Sequence, residues 1–355
     1  MATALVTGFP GFIGRRLVRR LLDDHADMRV VCLVEQRMVA TAREVAASED
    51  RVEVLPGDIS ERRLALSDAD WVRLTGEVTH VFHLAAIYDL AVPVEVATKV
   101  NVAGTGNVLE FCLAASGLQR HAYVSTAYVA GDRNGVVFEH ELVMGQGWKN
   151  HYEATKFQAE VWVRETLGRI PTTILRPGIV VGDSRTGETE KFDGPYYLLR
   201  TISRMAKLRR PVVQFGKADA TFNVVPVDFV VGAIAAAAFD PACEGETLHL
   251  VDPDPVPSRE LVSLISRAYA GQDPVGRIAP RLAEASLRLK PVSEMLGGTP
   301  KESIVYLNHA VTFDTRRAVD LLTPHGLQPP PFSDYVEPMV RFFKAHEDDP
   351  KYAKK

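Results

Sequence analysis

The segment ATALVTGFPGFIG, at residues 2–14, decides the fold of this chain. It opens with an apolar run at Ala2–Thr7 that contains β-branched residues and predicts a buried strand. Apolar side chains then recur at helical spacing across Phe12–Leu22, which predicts an amphipathic helix. Three glycines, spaced three residues apart, stand between the two elements. We therefore interpret the segment as a strand, a glycine turn and a helix.

The glycine turn has the chemistry of a phosphate-binding loop. Gly8 permits a tight turn, Gly11 lets the backbone approach a pyrophosphate, and Gly14 lets the helix pack closely on the strand. The N-terminus of the helix adds free N–H groups and the positive end of a dipole. An ordinary turn is the alternative, but the context predicts a dinucleotide site. Its residues would be Gly8, Phe9, Pro10, Gly11, Phe12, Ile13, Gly14 and Arg15.

Apolar strands continue to alternate with helices as far as Leu175. Such alternation is typical of a parallel sheet covered on both faces, and right-handed crossovers make that sheet doubly wound. We predict an α/β Rossmann domain at residues 1–180, which the chain rejoins at about 223–250. Residues 181–222 and 251–355 would form a smaller C-terminal substrate-binding part. The later strands are expected at Arg29–Val34, Val52–Leu55, Thr79–Leu84, Arg120–Ser125 and Thr172–Leu175, and the main helices at Val94–Ala115, Tyr152–Leu167 and Tyr196–Leu208.

The composition excludes several classes of protein. Hydrophobic residues make up 46% of the 355 residues and charged residues 24%, which predicts a folded chain with a large core. The net charge of −4 includes no basic stripe, so we expect no nucleic-acid partner. The three cysteines show no metal-ligand spacing, so we expect no metal site. No apolar stretch has the roughly 18 residues of a membrane span, and no signal peptide is evident, which favours a cytoplasmic protein.

Charged residues beyond the second strand bear on the choice of dinucleotide. Glu35 follows that strand, where a carboxylate can accept hydrogen bonds from both ribose hydroxyls of NAD. Arg15 and Arg37 could instead hold the 2′-phosphate of NADP. We expect NADP, with NAD as the alternative. After the third strand, Asp58 would accept a hydrogen bond from the adenine amino group, and Ile59 would cover the adenine ring. The alternative for Asp58 is that it only caps a turn.

Tyr152 and Lys156 stand four residues apart at the start of a predicted helix, so they project from one face. A neighbouring ammonium would lower the pKa of the phenol and suit it to exchange a proton with a carbonyl oxygen or an alcohol. The lysine could also hold the nicotinamide ribose. A hydroxyl at the end of the fifth strand, Ser125 or Thr126, would donate to the same substrate oxygen. A surface pair without function is the alternative.

These motifs, in this order and spacing, resemble the extended short-chain dehydrogenases/reductases over almost the whole chain. The resemblance is carried by residues 7–14, 57–59, 83–86, 101–105, 125–131, 152–156 and 176–182. It implies a catalytic trio of Thr126, Tyr152 and Lys156, with Tyr152 and Lys156 also touching the cofactor. It further implies cofactor contacts or support from Ala85, Ala86, Asn101, Pro177 and Ile179.

Within that family, the middle of the chain is most similar to the thioester reductases and fatty acyl-CoA reductases. Residues 145–147, 182–187 and 192–197 carry this likeness. Two departures stand out. Glu35 occupies a position where that branch usually has arginine, and we expect no carrier or adenylation domain in this protein, so that a thioester would come from outside. The resemblance implies an NAD(P)(H)-dependent oxidoreductase that transfers a hydride at a lipophilic carbonyl or alcohol, with reduction of a fatty aldehyde or an acyl thioester favoured.

Two other functions stay open from the sequence. A hydroxysteroid-type alcohol dehydrogenase or ketone reductase would use the same catalytic trio, so the trio does not separate it from an acyl reductase. A non-enzymatic dinucleotide sensor would share the fold, but we expect a sensor to have lost Tyr152 or Lys156, and both are present.

Loops after residues 87–90 and at 182–197 follow the carboxyl ends of strands, so they should wall the substrate site. Their aromatic residues would either form an apolar slot for a lipophilic substrate or fill the core of the smaller part. Basic amphipathic segments at 196–210 and 281–289 would allow peripheral membrane contact or hold coenzyme A phosphates. The resemblance also allows a homodimer through the two long helices. The slot candidates are Tyr88, Phe192, Tyr196, Tyr197 and Leu198.

Overall fold

Eleven strands are found in the parts of the chain that a computed structural model describes, which are residues 2–88, 92–214, 220–276 and 309–352. Seven of them form one parallel sheet in the order β10-β7-β5-β4-β1-β2-β3. The order reverses beside β1, which is the switch point of a doubly wound sheet and confirms the predicted α/β Rossmann fold. The strands are β1 (Thr3–Thr7), β2 (Arg29–Val34), β3 (Val52–Pro56), β4 (His80–His83), β5 (Arg120–Val124), β6 (Gly135–Val137), β7 (Thr172–Pro177), β8 (Ile179–Val181), β9 (Val224–Pro226), β10 (Thr247–Leu250) and β11 (Val311–Phe313).

Helices cover both faces of this sheet. The predicted helix at residues 94–115 is continuous, but a π-helical turn at Lys99–Ala103 divides it into two parts. The sequence analysis did not single out α2, α3 or β10, since these elements are short and lack a strong apolar period. The helices are α1 (Phe12–Asp24), α2 (Val39–Ala46), α3 (Asp68–Glu77), α4 (Val94–Thr98), α5 (Gly104–Ala114), α6 (His151–Glu165), α7 (Tyr196–Lys207), α8 (Val227–Phe239), α9 (Ser258–Ala270), α10 (Arg316–Leu322) and α11 (Phe332–His346).

The central strands are buried on both sides. Ala4 and Val6 of β1 belong to an apolar layer that contains residues of α1 and α8. Leu5 points the other way, into a layer that contains residues of α5 and α6. Because neither face meets water, these strands appear in the sequence as continuous apolar runs rather than as alternating ones.

A separate apolar core lies in the smaller part of the chain, between α7, α9 and α11. Phe192, Tyr196 and Leu198 belong to it and are at most 4% exposed. Of the two interpretations of the aromatic residues, filling a core therefore applies to these three side chains. Tyr88 differs from them, since 49% of it is exposed.

Part of the basic surface of α7 is bonded within the chain. Arg200 donates to the carbonyl oxygen of Tyr352 at 2.8 Å, and Lys207 pairs with Glu347 at 3.1 Å. The other predicted basic segment, at 281–289, lies outside the described residues, as do residues 89 and 90 of the first substrate loop. Within the described ranges, no helix combines the length and the apolar character needed to cross a bilayer.

The turn between β1 and α1 depends on the absence of side chains. Gly8 has a φ of +91°, a left-handed value that favours glycine. Its carbonyl oxygen accepts the N–H of Gly11 at 3.0 Å. A Cβ placed on Gly14 would lie 2.5 Å from that same oxygen. The first turn of α1 therefore packs against the glycine turn more closely than any larger residue at position 14 would allow.

Two helical glycines give a matched test of this packing. Gly14→Ala should lower the free energy of unfolding by about 1–3 kcal/mol, because the new methyl group overlaps backbone that has little room to move. Gly76→Ala is the control, since a Cβ there meets nothing within 4 Å. It should raise the free energy of unfolding by about 0.5 kcal/mol, because alanine lowers the conformational entropy of the unfolded chain. Urea unfolding measures both variants, and equal midpoints would contradict the close packing of α1.

Candidate active site

The residues selected from the sequence meet at the carboxyl ends of the strands around the switch point. Thr126 lies two residues after the end of β5, and Pro177 ends β7 beside it. Tyr152 and Lys156 lie in the first two turns of α6, which Asn150 caps by accepting the N–H of Glu153 at 3.0 Å. The glycine turn follows β1 at the same edge of the sheet. This is the edge at which doubly wound sheets bind ligands.

The two hydroxyls after β5 point in different directions. Thr126 Oγ1 is close enough to the phenol of Tyr152 to lower the pKa of that phenol, and it lies 3.4 Å from the carbonyl oxygen of Pro177. Ser125 instead donates to a buried carboxylate oxygen of Glu160 at 2.6 Å. Thr126 is therefore the strand-end hydroxyl that faces Tyr152, while Ser125 faces the interior.

Lys156 is almost fully buried, and its amine is bonded to β5. Nζ donates to the carbonyl oxygen of Val124 at 2.8 Å and to the hydroxyl of Tyr123 at 3.0 Å. Burial lowers the pKa of Lys156 to about 7, although Glu160 acts in the opposite direction. Sequence analysis did not select Tyr123, because nothing in the spacing of the strand marks it as a partner of a helix residue.

The phenol of Tyr152 has a raised pKa. Burial raises it to about 12, and the hydrogen bond from Thr126 offsets only part of this effect. The expectation that the ammonium of Lys156 lowers the pKa of this phenol is therefore not met here. The physical reason is that the lysine donates to β5 and not to the phenol.

A buried ion pair lies one turn further along α6. Glu160 and Arg176 meet at 2.6 Å, and both side chains are at most 1% exposed. Burial alone would raise the pKa of Glu160, but Arg176, Arg164 and the hydrogen bond from Ser125 hold it below its ordinary value. The position of Glu160, four residues after Lys156, indicates that both side chains project from the same face of α6. Its partner Arg176 lies on β7 and cannot be identified from this spacing.

Asn101 lies in the π-helical turn and supports the site through backbone contacts. Its Oδ1 accepts the N–H of Ile87 at 2.8 Å, and its Nδ2 donates to the carbonyl oxygen of Ile87 at 2.9 Å. Nδ2 also donates to Thr155 on α6 at 3.0 Å. Asn101 thus ties the chain that precedes Tyr88 to the helix that carries Tyr152.

The segment after β4 passes directly beside the glycine turn. The N–H of Ala85 donates to Thr7 Oγ1 at 3.2 Å, and a Cβ on Gly8 would lie 3.0 Å from this nitrogen. Ala86 follows in the same segment, which the resemblance predicts to run along the cofactor. On the far side, the N–H of Ile179 bonds to Asn223 at 3.0 Å, which connects β8 to β9.

Both arginines expected at a 2′-phosphate have carboxylate partners. Arg37 pairs with Glu35 at 2.8 Å on the surface. Arg15 pairs with Glu188 at 2.9 Å and with Glu190 at 3.1 Å, both in the loop that precedes α7.

The residues expected around the adenine have local partners. Asp58 Oδ1 accepts the N–H of Ser60 at 2.8 Å, which is the turn-capping alternative for this residue. Ile59 is buried in the apolar layer beside α5, where it packs against Gly104. A role for either residue at an adenine stays a prediction.

Tyr88 links two loops at the mouth of the site. Its hydroxyl is hydrogen-bonded to Lys191 and Asp193, and the amine of Lys191 lies 5.0 Å from the centre of its ring. Tyr88 is also close enough to Tyr152 to raise the pKa of that phenol. The loop after β4 and the loop before α7 therefore meet near the phenol of Tyr152, and their part in a substrate site stays a prediction.

The buried ion pair predicts a pH-dependent stability. Glu160→Gln should lower the free energy of unfolding by about 3 kcal/mol at neutral pH, because it leaves Arg176 buried without its charge partner. The folded-state pKa of Glu160 lies below its ordinary value of 4.5, so its contribution is present above that pH and lost as the pH falls through the folded-state pKa.

Urea unfolding from neutral to acid pH measures this effect. The wild type should lose more stability on acidification than Glu160→Gln does. Glu165→Gln, which removes an exposed carboxylate from the same helix, is the control and should behave as the wild type. Parallel pH curves for the wild type and Glu160→Gln would contradict the assignment.

Comparison with known proteins places this site in a family. The sequence pattern of the NAD-binding family described as male sterility protein matches residues 6–234. A glycine betaine reductase of Emericella nidulans is 30% identical over 283 residues, which cover 73% of this chain but only 22% of that protein. Fatty acyl-CoA reductase 1 of Arabidopsis thaliana is 23% identical over 364 residues, which cover 78% of this chain and 72% of that protein.

A solved structure extends the likeness across the chain. The terminal R domain from the myxalamid PKS-NRPS biosynthetic pathway matches with a TM-score of 0.81 and 26% identity, covering 99% of this chain and 92% of that domain. The family pattern covers more than half of the chain, which confirms the resemblance seen in the sequence. The chain belongs to the male sterility protein family, and it is an NAD(P)-binding reductase of the extended short-chain dehydrogenase/reductase type.

Proposed function

We propose that this protein reduces a lipophilic acyl thioester or the corresponding aldehyde, with a hydride from a nicotinamide dinucleotide. The observation that carries the proposal is that Thr126 faces the phenol of Tyr152, one helical turn before the buried Lys156, at the carboxyl ends of the strands. Similarity to a fatty acyl-CoA reductase and to an R domain supports the substrate class. Retention of both Tyr152 and Lys156 favours an enzyme over a dinucleotide sensor.

The glycine turn fits the pyrophosphate of such a cofactor. A Cβ at Gly8, Gly11 or Gly14 would lie 3.0 Å or less from neighbouring backbone atoms, so this surface is backbone alone. The N-cap of helix α1 is Gly11, which has no side chain to cap the helix, so the first N–H groups of α1 are available to phosphate oxygens. When bound, the reduced cofactor supplies the hydride that adds to the carbonyl carbon.

The side chains of the chain would handle the proton. As the hydride forms the new C–H bond, the carbonyl oxygen gains negative charge and takes the proton of Tyr152. A pKa of about 12 keeps this phenol protonated at neutral pH, which suits a proton donor. Thr126 would donate a second hydrogen bond to the same oxygen. Its bond to Pro177 is long at 3.4 Å and would be readily exchanged.

The thioester reaction needs one further bond to break. The hydride adduct of a thioester collapses when its C–S bond breaks: its hydroxyl gives its proton back, the departing sulfur takes a proton, and the products are a thiol and an aldehyde. A second hydride and a second proton would convert that aldehyde into an alcohol. The same two side chains, Tyr152 and Thr126, would serve both steps, because each step ends in protonation at an oxygen or sulfur of the substrate.

Reduction of a long-chain acyl-CoA tests the proposal. Purified protein should oxidise the reduced cofactor when supplied with long-chain acyl-CoAs or aldehydes, and less so with hydroxysteroids or their ketones. Tyr152→Phe should bind cofactor normally but lose turnover by about 10²–10⁴-fold, because it cannot donate the proton. Absorbance of the reduced cofactor measures the rates. Turnover only on steroids would replace the proposal with the dehydrogenase alternative, and a Tyr152→Phe variant of normal rate would remove the mechanism.

The pairing of charges near the adenosine end favours NADH over the NADP expected from the sequence. Glu35 follows β2 and would accept hydrogen bonds from the ribose hydroxyls of NADH, whereas its negative charge would repel a 2′-phosphate. Arg37 and Arg15 are each paired with carboxylates. A 2′-phosphate would have to compete for both guanidinium groups.

Reversing one charge should change the preference. Glu35→Arg should favour NADPH over NADH by about tenfold relative to the wild type, because a repulsion is replaced by a charged hydrogen bond. Fluorescence titration with each cofactor measures the ratio. Glu44→Arg makes the same charge change on an exposed face of α2 and should leave the ratio unchanged. Wild-type protein that binds NADPH more tightly than NADH would contradict this assignment.

A further inference from the structure

Tyr123 makes a contact to Lys156 that the proposed chemistry does not use. Its ring is fully buried in β5, and its hydroxyl accepts a hydrogen bond from Lys156 Nζ at 3.0 Å. The carbonyl oxygen of Val124 accepts a second bond from the same amine. The amine also lies 4.4 Å from the centre of the Tyr123 ring. All three of these contacts to the ammonium therefore come from residues of β5.

The hydroxyl of Tyr123 belongs to a longer buried chain of polar groups. It is close enough to Thr105 for that hydroxyl to lower the pKa of Tyr123, and Thr105 Oγ1 lies 3.1 Å from His83 Nε2. The other nitrogen of His83 lies 2.8 Å from Thr7 Oγ1, which accepts the N–H of Ala85. The chain thus begins at Lys156 and ends where β1 enters the glycine turn.

The donors in this chain can be assigned in one direction. Thr105 donates its own proton to the carbonyl oxygen of Asn101 at 2.7 Å, so it accepts from its two other partners. Thr105 can therefore accept a hydrogen bond from the protonated phenol of Tyr123, and burial keeps this phenol protonated by raising its pKa well above the ordinary value. His83 donates through Nε2, and its Nδ1 accepts from Thr7. Burial holds the pKa of His83 well below its ordinary value, which keeps the ring neutral.

We propose that Tyr123 is a positioning residue for Lys156: its hydroxyl fixes the amine and connects its place to the glycine turn through Thr105 and His83. This inference rests on the proposed function insofar as Lys156 acts on the cofactor or in proton transfer. Tyr123 itself does not touch the reacting atoms. Its contribution is to hold the amine, and to favour its charged form by accepting one of its protons in a hydrogen bond.

The charges around Lys156 make this contribution measurable. From β4 it faces the neutral His83, and from β5 the neutral Tyr123. From its own helix it faces Glu160 and the neutral Tyr152, and Glu160 is already paired with Arg176 of β7. Hydrogen-bond acceptors are therefore a large part of what stabilises the ammonium against burial. Removing one acceptor should disfavour the charged form.

Titration of Lys156 in the Tyr123→Phe variant tests the proposal. NMR of protein labelled with ¹³C at the lysine ε-carbon follows the titration, and the signal that disappears in Lys156→Arg assigns it. The midpoint for Lys156 should fall by about one pH unit in Tyr123→Phe, because a charged hydrogen bond is lost. Tyr335→Phe removes another buried tyrosine hydroxyl, bonded to Val224, and should leave the midpoint unchanged.

The pH profile of turnover gives the second readout. Its alkaline limb should move to lower pH in Tyr123→Phe by the same amount and stay in place in Tyr335→Phe. An unchanged midpoint in folded Tyr123→Phe would overturn the positioning role. A shifted midpoint in a protein that reduces no acyl substrate would contradict the proposed function alone and would still support the positioning role. If Tyr123→Phe does not fold, Thr105→Val should show a smaller shift that Thr105→Ser restores, and no difference between these two would also overturn the role.

Discussion

Three stretches of backbone must approach one another at the switch point without side chains between them. The glycine turn, the first turn of α1 and the segment after β4 occupy this place, and added Cβ atoms at Gly8 or Gly14 would lie 3.0 Å or less from neighbouring backbone atoms. The approach fixes the distance between β1 and β4. Since Tyr123 and Thr126 are on or just after β5, which pairs with β4, the same constraint sets where their two hydroxyls lie relative to the turn.

The ionisable groups of the site differ in how their burial is compensated. Glu160 is buried but has an arginine partner, so its carboxylate remains charged. Lys156 donates its hydrogen bonds to neutral groups and Tyr152 is buried beside the neutral Thr126, and the pKa values of both move toward the uncharged forms. Groups with uncompensated burial are those whose protonation a ligand can change most easily. The distinction separates the residues that hold the site together from those that would do its chemistry.

Much of the fold was accessible from the sequence because long buried elements leave strong patterns. The strand Arg29–Val34 was predicted with the bounds that the structure shows, since each of its residues is apolar apart from the first. Short elements such as α3 and β10 could not be predicted in this way. At the site, the spacing of Tyr152 and Lys156 identified the helix but not the direction of the lysine amine, which depends on Tyr123 of another strand. Likewise, Phe192 and Tyr196 have the same amphipathic pattern whether they line a slot or fill a core.

The π-helical turn at Lys99–Ala103 gives one helix two registers. An extra residue in a helical turn offsets everything beyond it by about 100° around the axis. In this chain the offset lets Asn101 face α6, while Gly104 and Val108 beyond it face the sheet and its apolar layer. A deletion that made the helix regular would keep its length nearly constant yet turn one of these faces away from its neighbour. The irregular turn therefore sets the rotation of the second half of the helix relative to the first and adds little to its length. Insertions or deletions in this helix should be far less tolerated than substitutions on its exposed side.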